Sequence, residues 1–379
     1  ALSGISCYGV CSTTPGPFGL PPKAADDPPM NQGPRQYAEL HLHLGGAVLP
    51  RILYSYLHKI KHDNLHPDKL ELANQYLRRY RTYEQWERRL TKPSKSLSEY
   101  LEAHKIIEPL QTVNSVAYMV NRLLRGCYIF ENLAYLELRY CPYHRIPKDG
   151  TLSQQVSRMA DIVMAIHATA AANFREFPIV LAQVLCMDSR LPKEVNQAIV
   201  DLAASLPEEV AAVDLAGPDT FYAEQEDDLL LCLKHAKEKR GLKVTCHLYE
   251  TPNGCIESFL PYLDRIGHGI QIPLQYPKLL PQLARNKVCL EVCPTTYFRT
   301  GTLQTYGQLK PIFQSCFDLG VDIAVCTDNS GLHGIRLPLE FERLLTHKVI
   351  NFHEMELIRA NAFRHAFRWP GIINRREEH

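Results

Sequence analysis

The chain has 379 residues, of which 45% are hydrophobic and 22% are charged, as in a globular protein with one large domain or two medium ones. Its 42 basic and 41 acidic residues give a net charge of +1, which argues against a dedicated nucleic-acid or acidic-membrane binder. The 12 cysteines are too sparse for a disulfide scaffold and predict reduced thiols in a cytoplasmic compartment. No apolar stretch reaches the roughly 18–20 residues of a transmembrane helix.

The N-terminal segment differs in composition from the rest of the chain. Residues 1–34 are rich in Pro, Gly, Ser and Thr and have no periodic apolar pattern. They also lack the basic start and long apolar run of a secretory signal. We therefore expect a disordered leader over 1–34 and a folded domain over 35–379.

After this segment, short apolar or β-branched runs that end in a polar residue alternate with longer helical stretches. Their length and their flanking Gly or Pro residues favour strands over buried helix segments. Eight strands are predicted in this way: Ala38–Leu44, Leu133–Tyr140, Ile179–Met187, Val210–Ala216, Leu242–Leu248, Leu263–His268, Val288–Cys293 and Asp322–Thr327. Helices are predicted between them at Leu97–Leu110, Val113–Asn132, Thr151–Phe174, Pro192–Leu206, Glu224–Arg240 and Gln304–Leu319.

This alternation predicts right-handed crossovers and a mostly parallel sheet. Eight such units predict a (β/α)8 TIM barrel, whereas an open doubly wound sheet normally has a Gly-rich turn after its first strand. The first strand here ends in His-Leu-His instead. The segment Arg51–Ser96 is longer than one crossover needs, so we expect extra helices after strand 1 that cover one end of the barrel.

Barrel active sites lie at the C-terminal ends of the strands, so the polar residues there are the candidates for chemistry. His41 and His43 are two apart on the first strand and therefore face the same side. Two neutral imidazoles side by side form half of a site for a first-row metal such as zinc. The structural alternative is that one of them is a hydrogen-bonded core residue and the other faces a helix.

Three further strands end in residues of the same kind. His247 ends the fifth strand and Glu250 follows three residues later, while His268 stands between two glycines at the end of the sixth. Asp328 ends the eighth strand, which adjoins the first in a closed barrel. Each could be a core histidine, a surface glutamate or a turn residue. Four strand ends with such side chains at one face together predict a metal-dependent active site.

Glu137 and Arg139 are two apart on the second strand and face the same side. Charges inside a barrel are costly unless they are paired. We therefore predict that they belong to a structural ion-pair network beneath the site.

In this order and spacing, the motifs resemble those of the adenosine deaminase family of metal-dependent (β/α)8 hydrolases. The resemblance extends from about residue 38 to residue 362, nearly the whole chain after the leader. The matching stretches are Glu39–Leu44, Tyr135–Pro142, Val213–Gly217, His247 with Glu250, Ile266–Gly269, Cys293–Pro294 with Thr300–Gly301, Thr327–Asp328 and Asn361–Ala362.

The resemblance implies a role for each matching residue. The implied ligands of one zinc ion are His41, His43, His247 and Asp328. Glu250 is implied to protonate the purine ring nitrogen N1, and His268 to orient and help deprotonate the water that attacks C6. Asp328 or His268 would return a proton to the leaving ammonia. The residues implied to contact the substrate are His43, Gly45, Gly217 (its amide against N3) and Asn329.

The sequence departs from the family pattern in ways that bear on the substrate. Tyr249 beside Glu250 is expected to narrow the pocket, and Asn329 replaces an Asp that binds N7 in many members. Gly45 stands where nucleoside-specific members place an Asp near the ribose 5′-hydroxyl. Arg299 and Arg336 lie in loops where cations could meet a phosphate.

The resemblance thus implies a purine nucleoside or nucleotide as the partner, with neither a nucleic acid nor a membrane. Adenosine and deoxyadenosine are the leading substrates; AMP, N6-methyl-AMP and free adenine are the alternatives. A barrel that binds nucleosides without catalysis is a further alternative, against which the complete set of polar residues speaks. An amide or ester hydrolase would leave Glu250 without an obvious task.

Overall fold

The computed structural model describes residues 35–63, 67–94 and 96–370. The leader predicted at 1–34 lies outside these residues. The eight strands are β1 Tyr37–His43, β2 Leu133–Tyr140, β3 Val180–Asp188, β4 Val210–Ala216, β5 Lys243–Leu248, β6 Arg265–His268, β7 Cys289–Val292 and β8 Ile323–Val325. Among the described residues, no helix is long and apolar enough to cross a membrane.

Helices follow or connect all of these strands. Their bounds are α1 Leu44–Ala47, α2 Pro50–Asp63, α3 Pro67–Arg79, α4 Tyr83–Thr91, α5 Leu97–Ile107, α6 Val113–Glu131, α7 Leu152–Asn173, α8 Lys193–Ser205, α9 Glu226–Lys234, α10 Gln271–Gln275, α11 Leu280–Asn286, α12 Pro294–Thr300, α13 Leu309–Leu319, α14 Ser330–His333, α15 Leu337–Thr346 and α16 Phe352–His365. A π-helical turn extends α9 through Lys239, within the helix predicted there.

The strands form one parallel sheet in the order β1 to β8, each paired with the next. The sheet closes between its first and last strands at a bridge from Leu42 to Asp328. There the Asp328 amide donates to the His41 carbonyl and the His43 amide donates to the Asp328 carbonyl, both at 2.8 Å. The predicted (β/α)8 barrel is confirmed.

Two predicted strands match the structure residue for residue, whereas the last three are shorter than predicted. At the end of β8, the Thr327 amide and hydroxyl both donate to the buried Glu39 carboxylate, at 3.0 and 2.7 Å. The backbone of Thr327 therefore bonds to a side chain instead of continuing the ladder.

The extra helices predicted within Arg51–Ser96 are present as α2 to α4. Trp86 on α4 anchors them, because its buried indole nitrogen donates to the Pro50 carbonyl at 2.9 Å. Thr82 and Ser96 cap the starts of α4 and α5 by accepting hydrogen bonds from backbone amides. The insertion is thus packed structure with its own buried aromatic centre.

Fully buried charges fill the interior of the barrel. Arg139 donates to Glu291 at 2.9 Å and to Asp214 at 3.3 Å. Arg265 donates to the other oxygen of Glu291 at 2.7 Å and also to Glu137. Glu137 and Arg139 are therefore both in an ion-pair network beneath the site, and each pairs with a partner from another strand.

The network predicts a large stability cost when one cation is removed. Arg265→Met leaves Glu137 and Glu291 buried without their shared partner, so we expect the free energy of unfolding to fall by about 3–5 kcal/mol. Urea denaturation measures this. Arg285→Met, at an exposed position on α11, is the matched control and should change it by no more than about 0.5 kcal/mol. Equal effects of the two variants would contradict the role given to Arg265.

Candidate active site

A cavity of about 300 Å³ lies at the C-terminal ends of the barrel strands. Its floor contains His43, His247, Glu250, His268 and Asp328, which end or follow four different strands. This volume is at the lower end of the range for small-molecule sites. The structure therefore places the polar strand-end residues around one cavity of ligand size.

The three histidines and the aspartate converge on one point. The Nε2 atoms of His43 and His247 are 3.0 Å apart, and Asp328 Oδ1 lies 3.6 Å from His41 Nε2 and 3.5 Å from His43 Nε2. Ligand atoms about 2.1 Å from a tetrahedral ion are separated by roughly 3.4 Å. His41, His43 and His247 can thus hold a metal ion, with Asp328 placed as a fourth ligand.

Carboxylates fix the orientation of two of these imidazoles. Glu291 accepts from His41 Nδ1 at 2.7 Å, and Asp214 accepts from His247 Nδ1 at 3.3 Å. Because a carboxylate only accepts, each Nδ1 carries the proton and each Nε2 presents a lone pair. His41 Nε2 has no hydrogen-bond partner among the described residues. This carboxylate–histidine arrangement is typical of metal sites and fits a divalent ion.

Burial sets the protonation of the cluster. It lowers the pKa values of His41 and His43, so their rings are neutral, the form that binds metals. Burial also opposes the charged form of His247, but the neighbouring Asp214 charge raises the pKa of that ring. Burial raises the pKa of Asp328 to about 6. A cation at the centre of the cluster would favour the neutral imidazoles and the ionised carboxylate.

The backbone is strained at three strand ends of this site. Tyr249, His268 and Asp328 have φ values of 55°, 68° and 61°, in the left-handed region that residues other than Gly rarely adopt. Such residues cluster at functional sites, where the surrounding structure holds them. For Asp328 the holding contacts are its two backbone bonds to β1 and the Thr296 hydroxyl, which donates to Oδ2 at 2.9 Å.

Glu250 is a buried acid next to a buried imidazole. Its Oε2 lies 3.5 Å from His268 Nε2, and its Oε1 has no hydrogen-bond partner among the described residues. Burial, and then the nearby Asp328 charge, raise the pKa of Glu250 to about 8, so it is largely protonated at neutral pH. Burial lowers the pKa of His268, which keeps that ring neutral. The pair offers a proton donor and a proton acceptor side by side.

The other residues predicted to contact substrate also lie at this site. Gly217 has a φ of 100°, and a Cβ there would be 2.7 Å from Ser189 Oγ, so only glycine fits. Asn329 is buried and donates from Nδ2 to Asp328 Oδ1 at 2.6 Å. A Cβ on Gly45 would lie 2.7 Å from His104 Nδ1, so the His104 ring occupies the space beside that glycine.

Tyr249 does not narrow the cavity as expected. Its left-handed backbone turns the ring onto Tyr276, with ring centres 5.4 Å apart, and it is not among the residues that line the cavity.

The two arginines considered for a phosphate also lie elsewhere. Arg299 donates to the carbonyls of Thr91 and His333, and Arg336 lies over the Phe130 ring. Neither lines the cavity.

The expected cover of the site is shifted along the chain. None of the described residues between 51 and 96 lines the cavity, whereas Tyr100, Leu101, His104 and Lys105 of α5 do. Tyr76 on α3 supports α5 from outside the cavity, because its hydroxyl donates to the Ile106 carbonyl at 3.2 Å.

Sequence reasoning missed the residues that orient the ligands. Asp214 and Glu291 were not recognised as site residues, although each is a lone acid in an apolar strand. A buried charge in such a strand requires a partner, and that signal pointed to the network. The Thr296 hydroxyl offered no comparable signal in the sequence.

The barrel and its converging histidines define a metal-dependent hydrolase of the (β/α)8 class. A sequence model described as adenosine deaminase matches residues 36–369, so the chain belongs to the adenosine deaminase family. It is therefore a metal-dependent aminohydrolase, an enzyme that removes an amino group by hydrolysis.

Individual relatives agree with this assignment. The adenosine deaminase of Enterococcus faecalis is 26% identical over 340 residues, covering 88% of this chain and 92% of the relative. That of Clostridium kluyveri is 27% identical and covers 89% and 91%. The solved N6-methyl-AMP deaminase of Arabidopsis thaliana has the same fold, with a TM-score of 0.68 at 20% identity, covering 88% and 92%.

The ligand geometry predicts one divalent ion per chain. His247→Ala removes a ligand, so we expect zinc affinity to fall by more than about 100-fold, and Asp214→Asn to lower it by about 10–100-fold through the misplaced ring. A zinc titration against a competing chelator measures both. His353→Ala, at an exposed position on α16, should bind like the wild type. Unchanged zinc binding in His247→Ala would refute the site.

Proposed function

We propose that the protein is a zinc-dependent enzyme that converts a 6-aminopurine nucleoside, adenosine or 2′-deoxyadenosine, to the 6-oxo product and ammonia. The observation that carries this proposal is the buried Glu250 carboxyl 3.5 Å from His268, on the floor of a cavity that also holds the histidine cluster. An amide or ester hydrolase would leave the Glu250 carboxyl without an obvious task, whereas a purine ring nitrogen needs a proton donor.

Four residues would hold the zinc ion: His41, His43, His247 and Asp328. When bound, zinc lowers the pKa of a coordinated water to about 7 and so supplies a nucleophile at neutral pH. The buried Glu291 and Asp214 keep two of the imidazoles in the tautomer and orientation that binding requires.

Glu250 supplies the proton that the ring needs. Attack of water at C6 pushes an electron pair onto N1, and the Glu250 carboxyl neutralises it by transferring its proton there. A carboxyl with a pKa of about 8 holds that proton at pH 7, whereas an ordinary glutamate would have lost it. The 6-oxo product keeps that proton on N1, and the hydroxyl proton released as the C6=O bond forms restores the Glu250 carboxyl.

His268 handles the proton of the attacking water. Its neutral ring accepts that proton, and the proton then passes to the departing amine, which leaves as ammonia. His268 Nε2 lies 3.5 Å from Glu250, and the ligand atoms of His41, His268 and Asp328 lie within 4.8 Å of one another. The proton donor Glu250, the proton acceptor His268 and the proposed metal ligands would therefore all face the same reacting carbon.

The remaining contacts would orient the base. The Gly217 amide would donate to N3, from a left-handed backbone conformation that favours glycine. Asn329 would donate to N7 through the second hydrogen of its amide, because the first is directed at Asp328.

AMP or N6-methyl-AMP is the second candidate substrate class. The relatives from Enterococcus and Clostridium are named adenosine deaminases, whereas the Arabidopsis structure is of an N6-methyl-AMP deaminase. The absence of a side chain at Gly45 leaves no carboxylate there to repel a phosphate.

The acid role of Glu250 can be tested directly. Glu250→Gln keeps the shape but cannot donate a carboxyl proton, so we expect kcat to fall by about 10²–10⁴-fold while zinc remains bound. Formation of the 6-oxo purine, followed by ultraviolet absorbance, measures turnover of adenosine, deoxyadenosine, adenine, AMP and N6-methyl-AMP.

The matched control is Glu257→Gln, at an exposed position near the same strand end, which should turn over substrate like the wild type. Undiminished turnover in Glu250→Gln would refute the acid role. A zinc-loaded, folded wild type that acts on no member of the panel would refute the proposed activity and favour a barrel that only binds its ligand.

A further inference from the structure

The outer part of the cavity carries an excess of positive charge. Four cationic residues line it, namely Lys105, His144, Arg145 and Arg190, against two acids, Glu108 and Asp188. These six charges sum to +2, and Lys105 also forms an exposed ion pair with Glu102 at 2.6 Å. The four cations come from α5 and from the turns that follow β2 and β3, whereas Glu108 follows α5 and Asp188 is the last residue of β3. All six lie outside the strand-end cluster that we assign to the reaction.

His144 and Arg190 are fixed on the same buried carboxylate. Arg190 donates to Asp188 from Nε at 2.9 Å and from Nη2 at 2.6 Å, and His144 donates from Nε2 at 2.9 Å. Burial opposes a charged ring, but the Cys141 sulfur and the Asp188 hydrogen bond raise the pKa of His144 to about 10. Two cations thus share one anion, which leaves a net positive charge in a rigid arrangement.

His104 adds a buried polar atom that lacks a partner. Its ring fills the space beside Gly45, and its Nε2 has no hydrogen-bond partner among the described residues. Buried polar nitrogens are almost always hydrogen-bonded to protein or to water, so this one is available to an atom of a bound ligand. His104 lies on α5 next to Lys105, within the same cationic wall.

This wall is at the mouth of the cavity, because exposure rises outward. The Lys105, Arg190 and His144 side chains are 60%, 33% and 22% exposed. Those of Glu250 and His268 are 7% and 2% exposed. A substrate whose base lies over the buried pair would extend its sugar and 5′ substituent towards the cationic wall.

We propose that this wall, formed by His104, Lys105, His144 and Arg190, is an anion subsite that binds the 5′-phosphate of a purine nucleoside monophosphate. A phosphate monoester carries about −1.5 to −2 charges at pH 7, opposite in sign to the net charge of the wall. The guanidinium and ammonium groups are the donors that phosphate oxygens prefer. The inference rests on the proposed function for the reaction and for the position of the base, and it selects the second candidate substrate class, the monophosphate, over the nucleoside.

Binding of the two deaminated products, the nucleotide IMP and the nucleoside inosine, tests the subsite independently of catalysis. We expect the zinc-loaded enzyme to bind IMP at least about 10-fold more tightly than inosine in calorimetric titrations. Lys105→Gln and Arg190→Gln should each reduce that preference about 10-fold or abolish it, and Lys105→Glu should reduce it more than Lys105→Gln. Raising the salt concentration should weaken IMP binding more than inosine binding.

Two variants at exposed positions serve as controls, Lys310→Gln for the lysine and Arg285→Gln for the arginine, and both should keep the preference. Equal binding of IMP and inosine by the wild type overturns the subsite, as does a preference that survives in the Lys105 and Arg190 variants. Turnover is read separately. If the enzyme prefers IMP through these residues but deaminates nothing, the subsite is supported and the proposed function is refuted. If it deaminates its substrate but binds IMP and inosine equally, the proposed function is supported and the subsite is refuted.

Discussion

The Glu291 carboxylate in the middle of the barrel is the group on which both the core and the site depend. One of its oxygens accepts from Arg139 and His41, and the other accepts from Arg265 and Thr245. Burial opposes its ionisation, but the two arginines lower the pKa of Glu291 overall, so it stays charged. That fixed charge holds the His41 proton on Nδ1 and leaves Nε2 free for a metal. The ion pairs that stabilise the interior therefore also orient the first metal ligand.

The strained strand ends show how the barrel keeps these ligands in place. Each left-handed residue costs about 1–3 kcal/mol, so Tyr249, His268 and Asp328 are maintained only because their surroundings determine them. Asp328 is held by two backbone bonds to β1 at the seam where the barrel closes. The backbone bonds that close the sheet therefore also position Asp328, the fourth proposed ligand. This explains why an aspartate at the end of β8 lies close to histidines near the start of the chain.

The sequence predicted the barrel and the polar strand ends because both follow from local patterns and from one rule about where barrel sites lie. It could not predict pairs such as His41 with Glu291, which are 250 residues apart, since nothing local links them. The prediction that Tyr249 narrows the pocket was wrong, because the direction of its ring depends on a left-handed φ that the sequence does not reveal. Arg299 was predicted to lie in the loop after strand 7, but it lies on α12, and its side chain donates to carbonyls outside the cavity.

Different parts of the proposed site carry the reaction and select the substrate. The floor is built from strand ends and from the buried network beneath them, so changes there alter the chemistry and the stability together. The rim is built from α5 and from the turns after β2 and β3, which can change without disturbing the barrel. Gly45 illustrates the link between the two layers, because the space beside it is occupied by His104, a residue from the rim. The effect of this glycine on substrate binding therefore depends on packing that the sequence alone does not reveal.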